Sequence, residues 1–262
     1  MLLSSPFDLS STPKRIISLV PSQTELLHYL GLEEETIGIT KFCIHPAEWH
    51  QAKTRIGGTK TLDIQKIKTL KPDLIIGNNE ENVKDQVEEL AADFPVWVTD
   101  ICSLTDSTKM ISDVGQLTGK EIEASSLSRE IIAKFDDLQS VYNSDPSPAA
   151  YLIWKDPYMT VGGDTFISDM LKQAGFINMF SGLSRYPEID LLRLAEMNCE
   201  ILFLSSEPFP FKEEHLATIR EALPHTKIFL VDGEMFSWYG SRLLEAPAYF
   251  TRLRNTVFAS NN

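Results

Sequence analysis

LDIQKIKTLKPDLIIGNNE, residues 62–80, decides the fold once it is set beside IDLLRLAEMNCEILFLSSE, residues 189–207. The two stretches align without a gap at an offset of 127 residues, from Leu62 to Ile189. Each has an Asp in second place (Asp63, Asp190), followed by apolar residues at helical spacing: Ile64, Ile67 and Leu70 in one, Leu191, Leu194 and Met197 in the other. Each then passes an acidic residue (Asp73, Glu200) into four mostly branched apolar residues and a polar triplet ending at Glu80 or Glu207. A period of about 3.6 giving way to continuous hydrophobicity reads as a helix followed by a buried strand. An Asp just before such a period reads as the helix N-cap.

Other pieces recur in the same order on either side. RIISLVPSQTELLHYLG (15–31) opens the first half as strand, Pro-Ser turn and helix, with Thr24 near the helix start. AAYLIWKDPYMTVGGDTFISDMLKQAG (149–175) opens the second half in the same way, with a longer turn and Thr165 in the matching place. PVWVTD (95–100) has its counterpart in KIFLVDG (227–233). Strands alternating with helices imply parallel sheets wound by right-handed crossovers.

Between the halves, Thr118 and Glu121 form a capping-box pattern, and Ile122, Leu127, Ile131, Leu138 and Tyr142 share one helical face as far as the breaker NSDPSP (143–148). This predicts a stiff connector of about 20 residues, roughly 30 Å long. The predicted architecture is α/β: two Rossmann-like lobes with parallel central sheets, residues 1–117 and 146–262, joined by one backbone helix within 118–145. Open α/β sheets bind ligands beyond the carboxyl ends of their strands, so the ligand cleft is expected between the lobes.

Composition narrows the partners. The 262-residue chain carries a formal net charge of -13, which repels a phosphate backbone, and has no basic stripe with interleaved aromatics, so nucleic acid is excluded. No stretch approaches the roughly 18 to 20 apolar residues that cross a bilayer. MLLSSPFDLSSTPKR lacks the cationic start and apolar run of a signal peptide, which predicts a cytoplasmic chain, or a periplasmic or cell-surface one if the natural start differs. Cys43, Cys102 and Cys199 are odd in number and far apart, and read as free thiols.

Over nearly its whole length, from about Lys14 to Arg254, the chain resembles the helical-backbone solute-binding proteins that deliver cobalamin, iron siderophores or haem to ABC importers. The resemblance rests on RIISLVPSQTELLHYLG, GITKFCIHP with the following RIGG, LKPDLIIG, VGGDTFISDML and DGEMFSWYGSRL. SLVPSQTELLHYLG and LKPDLIIG look most similar to the cobalamin-binding branch. The resemblance implies two α/β lobes on one long helix, a metal-chelate ligand, no intrinsic cofactor, no catalytic residue, no protein-held metal, and a monomer.

Carried over residue by residue, the resemblance puts Phe42 where that branch has a stacking tyrosine, Tyr186 where it has a cleft tryptophan, and Asn78 in place of another. It also puts Gln65 and Leu192 where the family has glutamates that dock on the importer permease. That departure puts the ABC permease partner in doubt. Asp63 and Asp190, two residues earlier, are the acids left to take over docking, against their reading as caps.

The residues themselves point to ring stacking rather than catalysis. Trp154 and Tyr158, Phe209 and Phe211, and Phe236, Trp238 and Tyr239 all follow predicted strands, where ring faces suit a flat, partly apolar ligand such as a corrinoid or porphyrin. Lys41, Arg185 and Arg242 are the cations expected to meet ligand carboxylates or phosphate, Arg242 matching an arginine of the family's closing motif. The ligand-binding set is thus Lys41, Phe42, Cys43, Trp154, Tyr158, Tyr186, Trp238 and Arg242. In VGGDTF the glycine pair lacks the spacing of a nucleotide fingerprint, and Asp164 and Thr165 read as capping residues.

Two other readings compete. One is a cytoplasmic metal-dependent enzyme using Cys43, His45 and nearby carboxylates in the same cleft, although no second Cys/His pair completes a four-ligand set. The other is a sensor or scaffold that keeps the fold without transport coupling.

Overall fold

The structure, a computed structural model, describes residues 1–142 and 145–259. Its chain divides into two compact units. The first comprises Met1–Ile101, Thr105–Ile131 and Tyr239–Arg242, and the second Cys102–Leu104, Ile132–Trp238 and the residues from Leu243 onward.

The first unit carries β1 (Ile16–Ser18), α1 (Pro21–Tyr29), β2 (Thr36–Ile39), α2 (Ala47–Ala52), β3 (Thr54–Arg55), α3 (Ile64–Leu70), β4 (Leu74–Asn78), α4 (Lys84–Asp93) and β5 (Val96–Thr99), followed by α5 (Leu104–Thr118). Its strands pair in parallel in the order β3-β2-β1-β4-β5. All residues of β1 and β4 are buried, as a strand covered on both faces requires.

The long helix α6 (Glu121–Ser140) has the expected length. Its start differs from the capping-box reading. Thr118 turns its hydroxyl back into α5 and donates to the Val114 carbonyl at 2.7 Å, and Gly119 then breaks α5 at a φ of 69°. The buried row on α6 is Ala124, Leu127, Ile131, Phe135 and Leu138, while Ile122 is 82% exposed. Ile122 sits in the first turn, one step off that row. Of the expected breaker, residues 143 and 144 lie outside the described residues.

The second unit carries β6 (Ser147–Trp154), β7 (Met159–Thr160), α7 (Phe166–Gln173), β8 (Phe176–Asn178), α8 (Leu191–Glu196), β9 (Ile201–Ser205), α9 (Glu213–Ala222), β10 (Lys227–Val231), α10 (Glu234–Ser237) and α11 (Ala246–Ala259). Strand pairing runs β10-β9-β6, with β8 on the other side of the first part of β6. The order β8-β6-β9-β10 repeats β2-β1-β4-β5, which is the repeat read from sequence. One strand departs from the parallel plan: the turn at residues 155–158 sends β7 back antiparallel to β6.

The repeat extends to how its helices begin and end. The Asp63 carboxylate accepts from Lys66 N at 3.0 Å and that of Asp190 from Arg193 N at 2.7 Å, so both acids are N-caps. Past the two helices Lys71 and Asn198 adopt left-handed backbone at φ 48° and 52°, which turns the chain into β4 and β9.

Candidate functional site

In each unit the loops at the carboxyl ends of the parallel strands are the natural ligand face. In the first unit, the chain leaving β2 forms the turn Lys41–Phe42. Phe42 is 51% exposed, and the Lys41 ammonium stands 5.0 Å from the centre of its ring. Cys43, in the same turn, is fully buried, with Sγ 3.0 Å from Thr24 Oγ1 and 3.2 Å from Thr40 Oγ1. Burial pushes its thiol pKa up. As a ligand-contacting residue Cys43 is therefore corrected: it fills the interior and offers no surface, because both threonines draw its sulfur inward.

Asn78 ends β4 with its side chain spent on the loop. Its Oδ1 accepts from Glu80 N at 2.8 Å and Glu81 N at 3.2 Å, and its Nδ2 donates to Thr99 Oγ1 at 3.2 Å. An amide here builds the turn where a tryptophan would present a ring. Arg242 forms a forked pair with Glu25 of α1, Nε to Oε2 at 3.1 Å and Nη2 to Oε1 at 2.8 Å, with both side chains largely shielded. Sequence reading did not find Glu25, because nothing local links it to a residue more than two hundred positions away. The charge of Arg242, expected from the sequence to meet ligand anions, is met here by Glu25.

In the second unit, Trp154, 39% exposed, ends β6 with its ring edge-on to Phe209 at 5.8 Å. Tyr158, half-buried, packs with Phe209 against the core cluster of Ala150, Leu152 and Leu204, and burial raises its phenol pKa. The half-buried Tyr186 lies in the loop that runs beside β7, where Ile189 N donates to Tyr158 O at 2.9 Å. Phe211, Phe236 and Tyr239 are buried, Phe236 within α10, so for these three aromatics core packing is the role the structure gives.

Trp238 is also buried, 7% exposed, and donates its indole Nε1–H to Glu207 Oε1 at 2.9 Å. Ser237 Oγ–H donates to the same oxygen. Burial lifts the Glu207 carboxyl above its ordinary range, against the pull of those two donors. Sequence reading did not single out Glu207, although it closes the repeated polar triplet at the place that Glu80 has in the first copy.

The VGGD turn is a packing device. Gly162 N and Gly163 N donate to the carbonyls of Arg185 and Leu183, Asp164 accepts from Arg185 N at 2.6 Å, and Thr165 caps α7 by accepting from Ser168 N. Gln65 and Leu192 are exposed in the first turns of α3 and α8. Among the described residues no group of three or more His, Cys, Asp or Glu is arranged to hold a metal ion. Among them, too, no helix is long and apolar enough to cross a membrane.

Residues 16–232 match the family model described as periplasmic binding protein. The chain belongs to that family. It is 24% identical over 249 residues to an uncharacterised ABC transporter substrate-binding lipoprotein, YvrC, of Bacillus subtilis (strain 168), covering 90% of this chain and 78% of the relative. It is 26% identical over 209 residues to a vitamin B12-binding protein of Vibrio vulnificus (strain CMCP6), covering 78% and 76%. Among solved structures, the periplasmic heme-binding protein RhuT of Roseiflexus sp. RS-1 superposes with a TM-score of 0.80 at 20% identity, covering 96% of this chain and all of that one, a likeness of fold. The family is one of solute-binding proteins rather than enzymes. The expectation of a cytoplasmic chain finds no support among these relatives, whose names are those of lipoprotein and periplasmic binding proteins.

Proposed function

We propose that this chain is a receptor for a metal-chelate small molecule, a corrinoid before a haem or a ferric siderophore, and that it serves an ABC importer. One observation carries the reading. At the carboxyl ends of its strands the protein leaves large ring faces uncovered, Phe42 at 51% and Trp154 at 39%, where folding alone favours burying them. Tyr158 and Tyr186 add half-buried rings, and Lys41 a cation beside Phe42. Flat, partly apolar ligands are recognised by such faces without covalent chemistry. The relative that binds vitamin B12 supports the corrinoid as first choice.

Lys41, Phe42, Trp154, Tyr158 and Tyr186 touch the ligand in this reading, while Trp238 and Arg242 act through Glu207 and Glu25. Residues 1–117 and 146–262 are the working lobes and 118–145 their connector. Docking on a permease would use the helix starts at Gln65 and Leu192 without a glutamate at either. No residue is assigned a catalytic role.

The test is titration of the purified protein with cyanocobalamin, haem and a ferric siderophore, followed by Trp fluorescence and visible absorbance. Micromolar or tighter binding of one, weakened tenfold or more in Phe42→Ala, supports the reading. Absence of binding to all three overturns it.

A further inference from the structure

At the carboxyl end of β9 stands a carboxylate whose two oxygens live in different surroundings. Glu207 Oε1 is saturated by Ser237 Oγ–H and by Trp238 Nε1–H at 2.9 Å. These donors fix the rotamer, since Trp238 is itself buried and Ser237 belongs to α10. Oε2 accepts no hydrogen bond from any described residue, and it is not among the polar atoms sealed from solvent without a partner. One oxygen is thus used for positioning, and the other is held out as an acceptor.

Two of the cations at the strand ends are already matched. Arg242 is forked onto Glu25, and Lys155, just past β6, pairs with Asp156 at 2.7 Å. Beside Glu207 the segment after β10 adds Asp232 and, at the start of α10, Glu234, both felt by its carboxyl as like charges. A ligand group arriving at Oε2 therefore gains by donating an N–H or O–H. A ligand carboxylate would bring another charge of the same sign against Glu207, Asp232 and Glu234.

We propose that Glu207 Oε2 is a specificity-determining acceptor, which selects a neutral chelate bearing carboxamide side chains over the same chelate bearing a carboxylate at that position. The inference rests on the receptor reading above and names the chemical class that the site takes.

The test uses cyanocobalamin and its separated monocarboxylic acids, in which one side-chain amide is hydrolysed, with haem as a dianionic control. These are titrated into the parent and Glu207→Gln, an isosteric change that keeps an oxygen for Trp238 and turns an N–H outward in place of Oε2. Thermal melting confirms that the variant is folded. At least one monocarboxylic acid is expected to bind the parent tenfold or more weakly than cyanocobalamin, and to recover to within about threefold in Glu207→Gln, a span ordinary for one misplaced polar contact. Equal binding of all the acids by the parent, or a penalty unchanged in Glu207→Gln, overturns the inference. Tight binding of haem with none of cyanocobalamin also overturns it, while the receptor reading stands. No binding of any chelate removes both.

Discussion

Arg242 and Glu25 meet as a fork, Nη2 to Oε1 at 2.8 Å and Nε to Oε2 at 3.1 Å, across 217 positions of sequence. The pair fastens the segment after α10 to α1 within the first unit, and it removes from that face a cation that sequence motifs assign to the ligand. Cutting one partner leaves a largely shielded charge unmatched. The side chains keep 10% and 20% exposure, so the cost of Glu25→Gln is expected at about 1–3 kcal/mol, below that of a fully buried pair. Urea unfolding measures it. The same variant is expected to raise haem affinity, because the guanidinium becomes available to a propionate; unchanged haem binding would show that Arg242 does not face the ligand.

Phe42→Ala separates affinity from stability. The residue is 51% exposed, so removal of its ring should alter the unfolding free energy by no more than about 0.5 kcal/mol. Chelate affinity should nonetheless fall tenfold or more. A large loss of stability would instead make Phe42 a packing residue.

The three thiols should differ in reactivity. Cys43 and Cys199 are buried, with the thiol of Cys43 raised by burial and that of Cys199 pushed up to about 11, whereas Cys102 is half-buried. Thiolate is the reactive form, so native protein at pH 8 should titrate one thiol with an aromatic disulfide reagent, and all three after denaturation. Fast native labelling at Cys43 would contradict the burial described for it.

Glu207 should leave a mark on the pH dependence of stability. Burial, then the like charges of Glu234 and Asp232, hold its folded carboxyl above the ordinary value, opposed by the hydrogen bonds from Ser237 and Trp238. A raised folded pKa means stability that is full below the unfolded pKa and lost as pH rises through the folded one. The melting temperature of the parent relative to Glu207→Gln should fall across that mildly acidic interval and level off above it. A difference that stays flat with pH would mean that the carboxyl is as well solvated as in the unfolded chain.

Glycine in the VGGD turn is a steric requirement. A Cβ on Gly163 would stand 2.2 Å from the Ser181 carbonyl oxygen, while one on Gly182 meets nothing within 4 Å. Gly163→Ala is expected to lower stability by about 1–3 kcal/mol, with Gly182→Ala near neutral, in parallel thermal melts.

The 127-residue repeat of helix and strand was legible because it is local: Asp63 and Asp190 cap by reaching three residues ahead, and β4 and β9 announce themselves as unbroken apolar runs. The same locality misled at Thr118, where a capping pattern was present but the hydroxyl had a nearer acceptor in its own preceding turn. It misled again at β7, since the direction of a two-residue strand is set by the turn before it and by what it pairs with.

By itself the sequence determined the two α/β units, the order in which their helices and strands recur and the aromatic residues after the strands, all of which follow from periodicities a few residues long. Only the tertiary structure decided which loop residues present surface and which are spent on the protein. Phe42 and Cys43 are neighbours in sequence, yet one is open and the other sealed beneath Thr24 and Thr40. Glu25 claims Arg242, and Glu207 claims Trp238 with one oxygen only. The physical reason is that a charge or a buried donor takes whichever partner the packed chain brings within about 3 Å, and pairs so distant in sequence leave no local pattern by which to foresee them.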